Sequence, residues 1–148
     1  MESTNDSDLG QLTIIAYALM AGLGLFAGVV YYLHTSGSQV GSGAIVSETT
    51  DLLIVGGIGL MCLTMSRIVS TKVLAAFPEE KRADSDAALN GYRSAVIVRL
   101  ALLEGAGFVA CVFALITGNL NLLLISGFML VMMWTKRPSA TEFAQWRG

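Results

Sequence analysis

Arg99 and Glu104 stand in an apolar run, Arg99-Leu-Ala-Leu-Leu-Glu104-Gly105, where a charge is costly enough to need a purpose. An acid and a guanidinium in such surroundings have three uses. They fix helix packing through a buried polar contact, handle a proton or ion, or meet a partner subunit. At about 100° per residue the two side chains point about 140° apart, so they do not pair within one helix. Glu104 must therefore turn to another helix, stay protonated or border water, and Arg67 of the preceding apolar segment is within steric reach as an ion-pair partner. Arg99, Arg67 and Glu104 are the candidate ion-binding or buried ion-pair residues.

The elements that carry them follow from composition. The 148 residues are 54% hydrophobic and only 14% charged, with a mean hydropathy of +0.66, beyond the apolar share of soluble domains. Four apolar segments, residues 11–33, 52–69, 95–116 and 120–134, are bounded by polar or charged residues. Each approaches or exceeds the ~17 to 25 residues of a helical membrane span, the fourth being shortest and long enough if Asn119 and Thr135 sit at the interfaces. A spanning segment must satisfy its own backbone hydrogen bonds, so helices are predicted. Counted from Ala95, Glu104 is about 14 Å along its span, near the middle of a ~30 Å hydrocarbon core, whereas Arg99 is about 6 Å in and can snorkel.

The two halves of the chain resemble each other. Ile14 onward aligns with Ile97 onward at an offset of 83 residues, matching Ala18 with Ala101, Gly22 with Gly105 and Gly24 with Gly107. Asp51 onward aligns with Asn121 onward at an offset of 70, matching Gly57 with Gly127 and Arg67 with Arg137. A duplicated helical hairpin is predicted, its halves in the same orientation about an axis near the membrane normal. Ala16 and Ala21 occupy the first-half positions of Arg99 and Glu104, so the charges belong to one half only.

The predicted organisation is all-α and integral to a membrane: a tail over residues 1–10, a first hairpin over 11–70, a linker over 71–92, a second hairpin over 93–137 and a tail over 138–148. Pro78 stops the helix entering the linker, and Asp84 and Asp86 suit the first turn of a helix that begins before the membrane surface. The acidic tail lacks the basic residues of a cleaved signal, so residues 11–33 are expected to remain as a span. Every Lys and Arg falls in or near the linker, at the start of the third segment or in the C-terminal tail, which predicts that both termini are cytoplasmic. Tyr31 and Tyr32 have the character of an interfacial belt.

Gly22, Gly24, Gly28, Gly57, Gly105, Gly107 and Gly127 are candidate helix-packing positions, Gly24 and Gly28 having a spacing that permits close approach. His34 is the only histidine, and Cys62 and Cys111 lack metal-site spacing, so no metal and no cofactor are expected. The cysteines suit small packing positions. The chain has no phosphate-binding loop and no nucleophile with a histidine base, which argues against an enzyme. A net charge of -2, with basic residues that set topology, argues against nucleic acid.

Tyr92-Arg93, Arg99 to Gly105, Thr117-Gly-Asn119 and Arg137-Pro-Ser139 with Glu142 resemble a group of small bacterial four-helix membrane proteins that has no assigned activity. That resemblance is clearest over the C-terminal third and implies a bacterial cytoplasmic (inner) membrane. Residues 103–115 are similar, over one span, to the carboxylate helix of rotary ATP synthase c subunits, whose relatives include duplicated V-type proteolipids. That likeness implies proton or sodium binding at Glu104, although the family's carboxylate stands on the second helix of a hairpin and Glu104 stands on the first. The resulting expectation is a non-enzymatic structural or accessory protein of the lipid bilayer, associating with itself or with other membrane subunits, Glu104 being a packing contact. Ion translocation through Glu104 is the alternative.

Overall fold

The computed structural model describes residues 3–37, 47–78 and 85–147. Among them are five helices and no strand: α1 (Ser3–Thr35), α2 (Glu48–Ala75), α3 (Ser85–Thr117), α4 (Leu122–Thr135) and α5 (Ala140–Arg147). α1, α2 and α3 are each long and apolar enough to cross a membrane, and α4 is a shorter apolar helix of 14 residues. Most of the glycine- and serine-rich connection, residues 38–46, and the linker centre with Glu79, Glu80, Lys81, Arg82 and Asp84 lie outside the described residues.

The helix ends follow local chemistry. Ser47 caps α2, its Oγ accepting from the Thr50 amide at 3.3 Å, with Glu48 and Asp51 in the first turn, where the helix dipole favours acids. Pro78 follows shortly after α2 ends, as expected of a residue without an amide proton. α3 closes through Gly118 at φ +74°, whose amide donates to the Ala114 carbonyl at 2.9 Å; glycine takes that left-handed cap without strain. Asn119 then turns the chain. Its Oδ1 accepts from the Asn121 amide at 3.0 Å and its Nδ2 donates to the Glu48 carbonyl at 3.4 Å, tying the turn to the start of α2.

α3 is the central helix and packs against α1, α2, α4 and α5. Consecutive helices α1 and α2 share no extended interface, because α3 lies between them. The first pair is thus connected in sequence without packing as a hairpin, whereas α3 and α4 pack along their length. α1 runs parallel to α3, with Leu23 against Gly107 and the rings of Phe26 and Phe108 at 5.2 Å. It runs antiparallel to α4, with the rings of Tyr17 and Trp134 at 5.8 Å and Gly24 facing Leu130.

The core joins Leu23, Val55, Leu100, Leu103, Leu122 and Met133. Outside it, Leu25, Leu53 and Leu124 are about seven-tenths exposed, on helices whose apolar surface exceeds what five helices can bury among themselves. Exposed apolar side chains of this kind accord with helices long and apolar enough to cross a membrane. Cys111 is buried and its thiol donates to Ser126 Oγ at 3.3 Å, linking α3 to α4, while Cys62 is half-buried and free.

Of the seven glycines named as packing positions, one is in tight contact. A Cβ on Gly107 would come within 2.5 Å of Leu23 Cδ2, whereas one on Gly22 or Gly24 would find ordinary contacts at 3.9 Å, and Gly28, Gly57, Gly105 and Gly127 face open space. Among the described residues, the Gly24 and Gly28 spacing meets no close neighbour. Spacing alone is a poor guide, since a glycine supports close approach only where a neighbour presents its side. Two tight positions had no such spacing: Gly59 faces Met129 Cε and Gly91 lies under the Phe77 ring.

Candidate functional site: a basic cavity and a carboxylate clasp

Arg99 sits on the face of α3 that meets α4 and α5. Its Nη1 donates to Glu142 Oε1 at 2.8 Å, and its Nη2 donates to the Lys136 carbonyl at 2.8 Å and to Glu142 Oε2 at 3.4 Å. The second contact places a cation on the C-terminal carbonyls of α4, where unpaired acceptors and the helix dipole both favour it. Tyr92, one helical stretch earlier on α3, adds its hydroxyl to Glu142 Oε2 at 3.1 Å. This is the only ion pair among the described residues. The ion pair sought between Glu104 and Arg67 does not form.

Glu142 lies in the segment expected to be a C-terminal tail, which here forms α5. The signal was present, since Ser139-Ala-Thr-Glu142 has the spacing of a capping box. Ser139 Oγ accepts from the Glu142 amide at 3.1 Å and starts α5. α5 then folds back on α3 through a ring cluster: Tyr92 with Phe143 at 5.3 Å, Phe77 with Trp146 at 5.7 Å, and Phe143 with Trp146 at 6.3 Å. Each such pair adds about 0.5 to 1.5 kcal/mol beyond the area it buries. Partial burial by itself would raise the Glu142 carboxyl, but the hydrogen bonds and charge of Arg99, with help from Tyr92 and Lys136, hold it below the usual carboxylate range.

Arg99 and Arg67 are brought together, though not as an ion pair. With Lys136 they line a cavity of about 240 Å³ between α2, α3 and α4, beside the hydroxyls of Ser66, Ser70 and Thr71. Arg99 Nε is buried without an acceptor. Glu104 lies elsewhere, on the α1 side of α3, its Oε1 next to the bare backbone of Gly22. Half-buried, it has no hydrogen bond or ion pair among the described residues. The 140° separation thus sends the two charges to different helices. No group of metal-ligating residues occurs among the described residues.

A second cavity, about 660 Å³, opens between α2 and α4. Leu52, Leu60, Leu124 and Phe128 form its walls, Gly56 leaves its side bare, and Asn119 stands at its polar end. The chain matches no protein-family model, no curated protein and no solved structure.

Proposed function

We propose that the chain is a small non-enzymatic membrane protein, a structural or accessory component of a helical assembly. The observation that carries this is the open apolar groove between α2 and α4. In lipid, helices associate by close packing and small residues rather than by expulsion of water. Gly56 and Gly57 meet nothing within 4 Å, which leaves space for a helix from a second copy or another subunit. On this reading all four apolar helices cross one slab. Its outer edge runs through Glu48 and Thr117 to Asn121, and its inner edge through Tyr17, Arg67, Arg99 and Lys136. Along α3 the edges are about 27 Å apart at 1.5 Å per residue, close to the ~30 Å of a bilayer core.

Duplication stays part of this reading on the matched sequence blocks at offsets of 83 and 70 residues. The basic inner edge favours cytoplasmic termini, and the family resemblance favours a bacterial inner membrane. Native mass spectrometry of the protein released in mild detergent is expected to yield a dimer or a mixed complex. Gly56→Leu should deplete that complex without altering helix content. A wild type that is wholly monomeric would remove the assembly reading.

The unpartnered Glu104 carboxyl supports proton or sodium translocation as a second reading. On the slab reading, however, it lies only about 7.5 Å beyond Arg99, nearer the inner edge than the mid-span depth expected from Ala95, where carriers hold their ions. Reconstituted protein should carry proton- or sodium-dependent flux that Glu104→Gln abolishes, if translocation operates. Wild-type flux no greater than that of empty liposomes leaves Glu104 as a packing contact.

A further inference from the structure

The cavity between α2, α3 and α4 holds more cationic donors than the protein satisfies. Glu142 is the one carboxylate on Arg99, and both of its oxygens are engaged. Arg67 and Lys136 form no side-chain hydrogen bond or ion pair among the described residues, and the Arg99 guanidinium retains a buried donor, Nε, with no acceptor. Three positive charges, two of them on the exposed residues Arg67 and Lys136, border one small space and are offset by one carboxylate, an arrangement that suits an anion.

The shape narrows the choice. At about 240 Å³ the space is smaller than the ~300 to 1,000 Å³ of ordinary small-molecule pockets, and one wall is apolar, formed by Leu63, Leu103 and Met132. The Ser66 and Ser70 hydroxyls donate to the Leu63 and Arg67 carbonyls at 2.8 and 3.1 Å, which leaves their lone pairs free to accept from a hydroxyl. A group with a phosphate at one end, a hydroxyl near it and a hydrocarbon stem matches these walls.

We propose that this cavity binds the headgroup of an anionic phospholipid of the inner leaflet, Arg67 and Lys136 holding the phosphate and Leu63, Leu103 and Met132 contacting the carbons next to it. The assignment rests on the membrane-spanning reading, which sets Arg67, Arg99 and Lys136 at the inner interface, where basic pockets between helices meet anionic headgroups. Guanidinium supplies paired donors to phosphate oxygens and ammonium a point charge. The added positive charge of a choline headgroup would be repelled.

The test is native mass spectrometry of the full chain with phosphatidylglycerol or phosphatidylcholine added to the detergent, on protein first shown to resist alkaline extraction from membranes. Phosphatidylglycerol is expected to be retained preferentially, and Arg67→Gln and Lys136→Gln each to lower that preference roughly fivefold. Arg93→Gln removes the same charge from α3 away from the cavity and should leave the preference unchanged. Equal retention of the two lipids, or an undiminished preference in the Arg67→Gln/Lys136→Gln double variant, overturns the proposal while leaving the membrane reading intact. Protein freed by alkaline extraction overturns both. Inorganic phosphate that displaces the lipid and raises the melting temperature equally well would show a free-anion site and overturn the lipid assignment.

Discussion

Glu142→Ala should loosen the inner end of the molecule, lowering stability in detergent by about 1 to 2 kcal/mol and making the last ten residues or so sensitive to protease. The magnitude follows from burial. The Arg99 side chain is 12% exposed and that of Glu142 is 40% exposed, so removing the acid leaves a largely buried guanidinium short of its acceptors. Loss of a charge-assisted hydrogen bond in such a place costs about 1.5 to 3 kcal/mol, and screening of the exposed partner by solvent discounts this to about 1 to 2 kcal/mol. Tyr92 loses its acceptor at the same time. A double-mutant cycle with Arg99→Ala should return a coupling of the same order, since the two groups touch.

The clasp also sets a pH dependence with a definite sign. The Glu142 carboxyl is held below its ordinary value of 4.5, so the unfolded chain takes up this proton before the folded chain does. The stabilisation is complete above the ordinary carboxylate range and disappears as pH falls through the lower folded value. Melting temperatures measured from neutral pH into the acid range should therefore fall more steeply for wild type than for Glu142→Gln. Parallel profiles for the two proteins would mean that the pair contributes nothing to folding.

Gly107→Ala should destabilise the protein by about 1 to 3 kcal/mol, the usual cost of forcing an extra carbon into a packed site. The added Cβ would stand 2.5 Å from Leu23 Cδ2 and 3.0 Å from Cδ1, and Leu23 has no exposed surface into which to swing. α1 and α3 would have to separate at the crossing where the tilted rings of Phe26 and Phe108 also meet. Gly105→Ala, two residues away, meets nothing within 4 Å and should be neutral or gain up to about 1 kcal/mol from helix propensity. Leu23→Ala should recover part of the loss in Gly107→Ala. A Gly107→Ala protein that melts with wild type would mean that α1 and α3 are not in close contact there.

Much of the fold was legible along the chain, because apolar length is a local property. Helices α1 to α3 follow from runs of about twenty apolar residues, the ends of α2 and α3 from Pro78 and the Thr117-Gly-Asn119 turn, and the opposite directions of Arg99 and Glu104 from helical pitch alone. α1 begins earlier than hydropathy indicates, at Ser3, since helix can continue past an apolar stretch through residues of adequate propensity supported by packing on Leu12. The start of α3 at Ser85, ahead of its apolar run, is the one that Asp84 and Asp86 predict.

What only the tertiary structure decided was partnership. Arg99 took its acid from Glu142, 43 positions away, because α5 folds back over Tyr92; nothing local to either residue encodes that contact except the capping spacing at Ser139. Arg67 and Arg99 met at one cavity through the packing of α2 and α4 on α3. Of the seven candidate glycines, Gly24 and Gly28 alone had a close-approach spacing, yet it was Gly107 that faced a side chain with no room to yield. Residue type determines what a position can do, and the neighbour across the interface determines whether it does so. That neighbour is fixed by the order in which helices surround α3, a non-local outcome of packing that apolar periodicity does not carry.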